Sequence, residues 1–160
     1  MSHVQNTGGE EMTISDDGII FIQSWETLSL VAYPDGYGYP TIGWGHLIKK
    51  GEDFSDGITE EDADNIFLSD LAWAERTVNR VKTNLTQQQY DALVSPVFNI
   101  GETNFRKSTL LKLLNIPGDQ DEDEQFKVWR KSGGRVSRGL EKRRRQEMNI
   151  YNNGVYEFTH

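Results

Sequence analysis

The sequence predicts an α+β fold, with one helix and a small antiparallel sheet followed by a helical second half. Three observations point to it. From Tyr33 to Gly57 inclusive come two prolines and six glycines, a density that excludes a long helix and suits short strands joined by tight turns. Downstream of Thr59, apolar residues recur at helical spacing. Capping-box patterns, a threonine three residues before Asp62 and another three before Gln89, mark where helices begin.

The elements follow in order. Residues 1–14, "MSHVQNTGGEEMTI", are polar and aperiodic and read as a flexible leader, leaving 15–160 as a single domain. Within it, 15–58 form an N-terminal helix and sheet lobe, 59–80 a long connecting helix, and 81–160 a helical lobe. Ser15 or Asp16 caps the first helix, which places Glu26 in its last turn. Ala63, Ile66, Phe67, Asp70, Ala74 and Val78 share a face of the connecting helix, which runs to about Arg80. "LTQQQYDALVSPVFNIG" reads as a helix bent at Pro96, and "NFRKSTLLKLLN" as another. The acidic run Asp119 to Glu124 opens a further helix through Trp129, "SGG" ends it, and 138–151 form the last.

A chain of 160 residues that is 36 % hydrophobic can bury a real core. It has no cysteine, so disulfides, a thiol nucleophile and cysteine-based zinc sites are excluded. No apolar run approaches the roughly 20 residues that cross a bilayer, and no secretory leader opens the chain, so a soluble protein without membrane insertion is expected. The net charge of −8 argues against a nucleic-acid binder. That charge is uneven: residues 1–75 carry 15 acids and two bases, whereas 76–160 carry 15 bases and ten acids. The basic half suits a surface that faces an anionic partner.

Chemistry gathers in "WETLSLVAYPDGYGYPTIGWGH", residues 25–46. Glu26, at the C-terminal end of a helix, faces the negative end of the helix dipole, which raises a carboxyl pKa as a general acid requires. Asp35 lies nine residues on in a Pro-Asp-Gly turn, and Thr41 six further in a strand. Alone, each has an ordinary structural role. Together they bracket a glycine-rich hairpin, and an acid pair flanking a cleft is the constellation that hydrolyses glycosidic bonds. Asp70, on an apolar helical face, needs a partner, and His46 is the only histidine away from the termini; stranding Asp70 in a core would cost roughly 3–5 kcal/mol. There is no Gly-x-Ser-x-Gly elbow, HExxH or phosphate loop, so no metal or cofactor is expected. The basic run Arg135 to Arg145 reads as a helix face, one arginine reaching a catalytic carboxylate and the rest facing an anionic polymer.

Trp25-Glu26, Ala32-Tyr33, Asp35 and "PTIGWGH" from Pro40 to His46 resemble the active-site signature of phage-type lysozymes, the endolysin muramidases of tailed bacteriophages (glycoside hydrolase family 24). "ITEEDADNIFLSDL", "VFNIGETNF", "STLLKLLN" and "SGG…GLEKRRRQE" extend the resemblance over about residues 16–152. It implies a two-lobed lysozyme-like fold, with a small sheet lobe and a larger helical lobe joined by a long helix. It also implies a monomeric hydrolase of the β-1,4 bond between N-acetylmuramic acid and N-acetylglucosamine in peptidoglycan. By position, Glu26 is the general acid, Asp35 acts on the water and stabilises the oxocarbenium-like transition state, and Thr41 helps to place that water. The family is inverting, which needs carboxylates far enough apart to admit a water. His46 and Asp70 match a structural salt bridge, Arg143 the arginine that pairs with the catalytic Glu, and Leu47, Phe98 and Ser108 residues that contact sugar. As an endolysin the chain would wait in the host cytoplasm until a holin opens the membrane to the wall. Two alternatives stay open: a non-catalytic wall-binding or structural phage module, which would be expected to have lost Glu26 or its partners, and a lytic transglycosylase, which manages without Asp35.

Overall fold

The computed structural model describes residues 11–160, in six α-helices, a 3₁₀ helix, a three-stranded sheet and a two-stranded hairpin. The leader expected over 1–14 falls mostly outside those residues, and its end is a correction. Met12 and Ile14 are buried, and their N–H groups donate to Asn79 Oδ1 and Glu75 Oε2, each at 2.9 Å.

Contacts divide the chain into two compact units: Ile22–Trp73, and residues up to Phe21 together with Ala74–His160. The division differs from the expected 15–58, 59–80 and 81–160. It cuts the first helix, α1 (Asp16–Ser24), and the long helix α2 (Glu60–Asn79). The start of α1 belongs with the helical unit because Ser15 N donates to Asp91 Oδ1 at 3.0 Å and Ser15 Oγ to Asp91 Oδ2. Gly18 packs so tightly there that a Cβ would meet Asp91 Cγ at 2.8 Å.

The Ile22–Trp73 unit carries the sheet. Strands β1 (Ser29–Pro34), β2 (Pro40–Gly43) and β3 (His46–Leu47) pair antiparallel in chain order. Tyr33 lies opposite Thr41, Thr41 opposite Leu47, and Ile42 opposite His46, with an irregularity between Ser29 and Tyr33. Ile42 is buried, as are Ile22, Ala63, Phe67 and Leu71 of the same unit, and a Cβ on Gly43 would stand 3.6 Å from Ala63 Cβ at the start of α2. A capping box starts α2, since Thr59 Oγ1 accepts from Asp62 N at 3.0 Å and Asp62 Oδ2 from Thr59 N at 3.1 Å.

In the helical unit, α3 (Gln87–Ile100) is buried from Tyr90 to Val97 and packs against α6 (Arg138–Asn153). Thr86 and Gln89 complete its capping box, and Pro96 sits inside the helix without ending it. The single helix expected over "NFRKSTLLKLLN" is two, α4 (Glu102–Arg106) and α5 (Thr109–Leu114), because Ser108 breaks the first and caps the second. The helix expected from the acidic run is a 3₁₀ helix, Glu122–Val128, which sets Phe126 beside Tyr151 at a ring separation of 5.5 Å. The second half is not wholly helical. Strands β4 (Lys131–Ser132) and β5 (Arg135–Val136) form an exposed hairpin about Gly133 and Gly134, both at positive φ.

Candidate active site

Glu26 stands two residues beyond α1 rather than in its last turn, held by a bond from its N–H to Gln23 O at 2.9 Å. Its half-buried side chain meets the β2–β3 turn, Trp44-Gly45. A Cβ built on Gly45 would lie 3.0 Å from Glu26 Oε2, and Gly45 has a φ of +83°, so glycine is required there on both counts. The turn is anchored in turn by Asp64 of α2, whose Oδ1 accepts from Trp44 Nε1 at 2.9 Å and from Gln23 Nε2 at 3.2 Å. One carboxylate thus fixes both the turn beside Glu26 and the end of the helix that leads to it.

Asp35 occupies the other hairpin turn. Its Oδ1 accepts from Tyr37 N at 2.8 Å and Tyr39 N at 2.9 Å, and its own N–H donates to Tyr39 O at 2.8 Å. The aspartate therefore closes the β1–β2 connection, while Oδ2 is not spent on those turn bonds. Between the two carboxylates runs β2, whose four residues span about 10 Å at strand rise. Thr41 lies within it, 2 % exposed, and donates from Oγ1 to Tyr39 O at 2.9 Å. Directly opposite Thr41 on β3 is Leu47, 55 % exposed and open to a ligand.

His46 begins β3 and is 6 % exposed. Nδ1 lies 2.8 Å from Asp70 Oδ2, and Nε2 lies 2.9 Å from Glu52 Oε1. Burial works against a charged ring, but the hydrogen bonds to Glu52 and Asp70 and their charges outweigh it, and the His46 pKa is raised. The Lys49 N–H, 2.6 Å from Glu52 Oε1, and then the ring itself hold the Glu52 carboxyl below its usual value. Glu52 is a partner that sequence reasoning missed, since it lies in an aperiodic loop where no spacing singles it out. Nor is the ion pair deeply buried, for the Glu52 and Asp70 side chains are 33 % and 23 % exposed.

The remaining expected residues belong to the helical unit. Phe98 is half-buried near the end of α3. Ser108 Oγ donates to Phe105 O at 2.6 Å and accepts from Leu111 N at 3.1 Å, so it is first a helix cap. Arg143 is buried on α6, where Nη2 donates to Ser95 Oγ at 3.3 Å and Nε stands 3.4 Å from Glu147 Oε2. Ser95 Oγ itself donates to Glu147 Oε2, and Arg144 Nε stands 2.7 Å from Glu147 Oε1. Among the described residues no group of three or more His, Cys, Asp or Glu is placed to hold a metal ion, and no helix is long and apolar enough to cross a membrane.

An α+β chain that sets one half-buried carboxylate against a glycine turn and another at the far end of the same short strand has the form of a glycan hydrolase. The phage lysozyme family model matches residues 23–147, and this chain belongs to that family. Over 139 residues it is 40 % identical to the endolysin of Salmonella phage P22, covering 84 % of this chain and 95 % of the relative. It is also 40 % identical over 150 residues to the endolysin of Bacillus phage PZA, covering 90 % of this chain but 57 % of the relative, so it spans little more than half of that protein. Among solved structures, the endolysin from Escherichia coli O157:H7 phage FAHEc1 superposes with a TM-score of 0.81 at 35 % identity, covering 92 % of this chain and 98 % of the other.

Proposed function

We propose that this protein is a phage endolysin that hydrolyses peptidoglycan as a muramidase, cutting the β-1,4 bond between N-acetylmuramic acid and N-acetylglucosamine. Its membership of the phage lysozyme family supports a peptidoglycan-hydrolysing activity. The observation that carries the assignment of roles is the approach of Glu26 Oε2 to the Gly45 turn, on the same short strand that Asp35 closes at its other end. In this proposal Glu26 protonates the leaving glycosidic oxygen. Asp35 receives the proton of the attacking water and offsets the positive charge that develops on the sugar ring, and Thr41 helps to place the water. Leu47, Phe98 and Ser108 contact sugar, while His46, Asp70 and Arg143 support the scaffold.

An inverting outcome is part of the proposal, carried over from the family resemblance, and it requires carboxylates far enough apart to admit a water. Proton NMR of the first product formed from a soluble peptidoglycan oligomer tests this point. An α-anomer at early times is expected, and a β-anomer would make the enzyme retaining. Mass spectrometry of the fragments tests the reaction itself, because hydrolysis leaves reducing muramic ends whereas a transglycosylase leaves anhydro ends. We further propose action as a monomer from the host cytoplasm after a holin opens the membrane. Lysis by the chain expressed without any holin would contradict that route.

A further inference from the structure

The turn that meets Glu26 has little of its own to hold it. Trp44 stands between Gly43 and Gly45, both at positive φ, where glycine brings backbone freedom. Gly45 has no side chain, so the Trp44 indole is the one side chain through which the Trp44-Gly45 turn can be fixed. Its Nε1 donates to Asp64 Oδ1 at 2.9 Å. The same oxygen accepts from Gln23 Nε2 at 3.2 Å, and Gln23 O in turn accepts from the Glu26 N–H at 2.9 Å. A closed ring of contacts results. It runs from the Glu26 backbone through Gln23, Asp64 and Trp44 to Gly45. It returns to Glu26 at the carboxylate, 3.0 Å from where a Gly45 Cβ would stand. Every member lies in the Ile22–Trp73 unit.

Asp64 is suited to close that ring. It sits early in α2, whose start is fixed by the Thr59 and Asp62 capping box. The residue before it, Ala63, is buried and stands 3.6 Å from where a Gly43 Cβ would be. Two consecutive helix residues thus hold Gly43 and Trp44. An ionised carboxylate oxygen accepts from two donors at once, and an indole N–H and an amide NH₂ can only donate. Asp64 itself is exposed. Surface substitutions change stability little, whereas a reacting group misplaced by an ångström loses about a hundredfold in rate. The consequence of these bonds therefore falls on the reaction and not on the fold. We infer that Asp64 is a positioning residue, which holds Glu26 and the Gly45 turn in the arrangement from which Glu26 protonates the glycosidic oxygen. The inference rests on the hydrolase reading above and needs no contact between Asp64 and substrate.

The test is steady-state cleavage of a soluble peptidoglycan oligomer by the wild type, Asp64→Ala, Asp64→Asn, Trp44→Phe and the Asp64→Ala, Trp44→Phe double variant. Urea unfolding and ¹⁵N NMR spectra of each accompany it. Asp64→Ala should unfold close to the wild type, move the Gly45 amide signal and lower kcat by about tenfold or more, with KM within about twofold. Asparagine keeps an oxygen for the two donors, so Asp64→Asn should hold the Gly45 signal and restore kcat to within about threefold of the wild type. Phenylalanine keeps an aromatic ring but loses the donor. Trp44→Phe should therefore lower kcat on its own and have no further effect beside Asp64→Ala, because residues that act through one bond are not additive. An unchanged kcat in Asp64→Ala, a loss confined to KM, no rescue by asparagine, or additive losses in the double variant would each overturn the role. The two readings fail in different ways. A wild type that leaves the oligomer uncut sinks the hydrolase reading and this role with it. A wild type that cuts, beside an Asp64→Ala variant that cuts equally well, sinks the positioning role alone.

Discussion

Glu26 Oε2 lies so close to the Gly45 backbone that a β-carbon at position 45 would stand 3.0 Å from it. Gly45→Ala therefore carries two penalties. An alanine at φ +83° costs about 1–2 kcal/mol, and the added methyl displaces the carboxylate. Turnover is expected to fall about a hundredfold, as for a reacting group misplaced by an ångström. Gly43→Ala provides the contrast, because Gly43 also has positive φ but its Cβ would come no closer than 3.6 Å to its nearest neighbours, Ala63 and Ile58. Urea unfolding should show a similar loss for both variants, with the larger loss of peptidoglycan cleavage at position 45. Equal losses of activity would place the Glu26 carboxylate outside the chemistry.

Asp35 serves the turn and, as proposed, the reaction, and two substitutions separate these roles. Asparagine keeps an oxygen to accept from Tyr37 N and Tyr39 N, so Asp35→Asn should unfold like the wild type while losing at least a hundredfold in turnover. Asp35→Ala loses both bonds and should also be less stable, by about 1–2 kcal/mol. Wild-type turnover in Asp35→Asn would remove its charge from the mechanism.

Stability should vary with pH through the Glu52–His46–Asp70 chain. His46 has a raised folded pKa, so its contribution is fully present below the unfolded value of 6.5 and fades as pH climbs through the folded value. Glu52 is depressed, so its contribution is present above the unfolded value of 4.5 and fades as pH drops through its folded value. The chain therefore contributes most between about pH 4.5 and 6.5. His46→Gln should flatten the alkaline limb of a plot of Tm against pH. With both carboxylates reached by water, its cost near pH 6 is about 1–3 kcal/mol, below what a fully buried pair would give. A parallel pH profile in the variant would mean that the ring is not the titrating group.

Deep in the helical unit the electrostatics are less forgiving. Glu147 is the one carboxylate between Arg143 and Arg144, all three being buried. Glu147→Gln leaves two buried guanidiniums without an anion and should cost about 3–5 kcal/mol in urea unfolding. A loss below 1 kcal/mol would mean that water reaches the cluster.

Local signals explain what could be read from the sequence. The glycines and prolines of 33–57 specify turns through their own backbone preferences, so the hairpins were legible, as were the caps at Thr59 and Thr86, whose partners lie three residues away. Glu26, Asp35 and Thr41 stand out in the sequence as a spaced set around the start of that segment, and their roles are proposed. What was not legible depends on residues far apart in the chain. Glu52 becomes a partner of His46 only once the loop folds back, and Asp91 gathers Ser15 and Tyr156 from the two ends of the chain. The β4–β5 hairpin escaped because two-residue, fully exposed strands leave no hydrophobic alternation, and Ser108 escaped as a breaker because helical periodicity continues across it.

Cleavage of purified peptidoglycan by Glu26→Gln beside the wild type tests the central claim most directly, with circular dichroism to establish that both are folded. Reducing muropeptides from the wild type and less than about 1 % of that release from the folded variant are expected, since the amide retains the shape of the acid but cannot supply its proton. Release from the variant at a rate close to the wild type would contradict the account, because the proton would then come from another group.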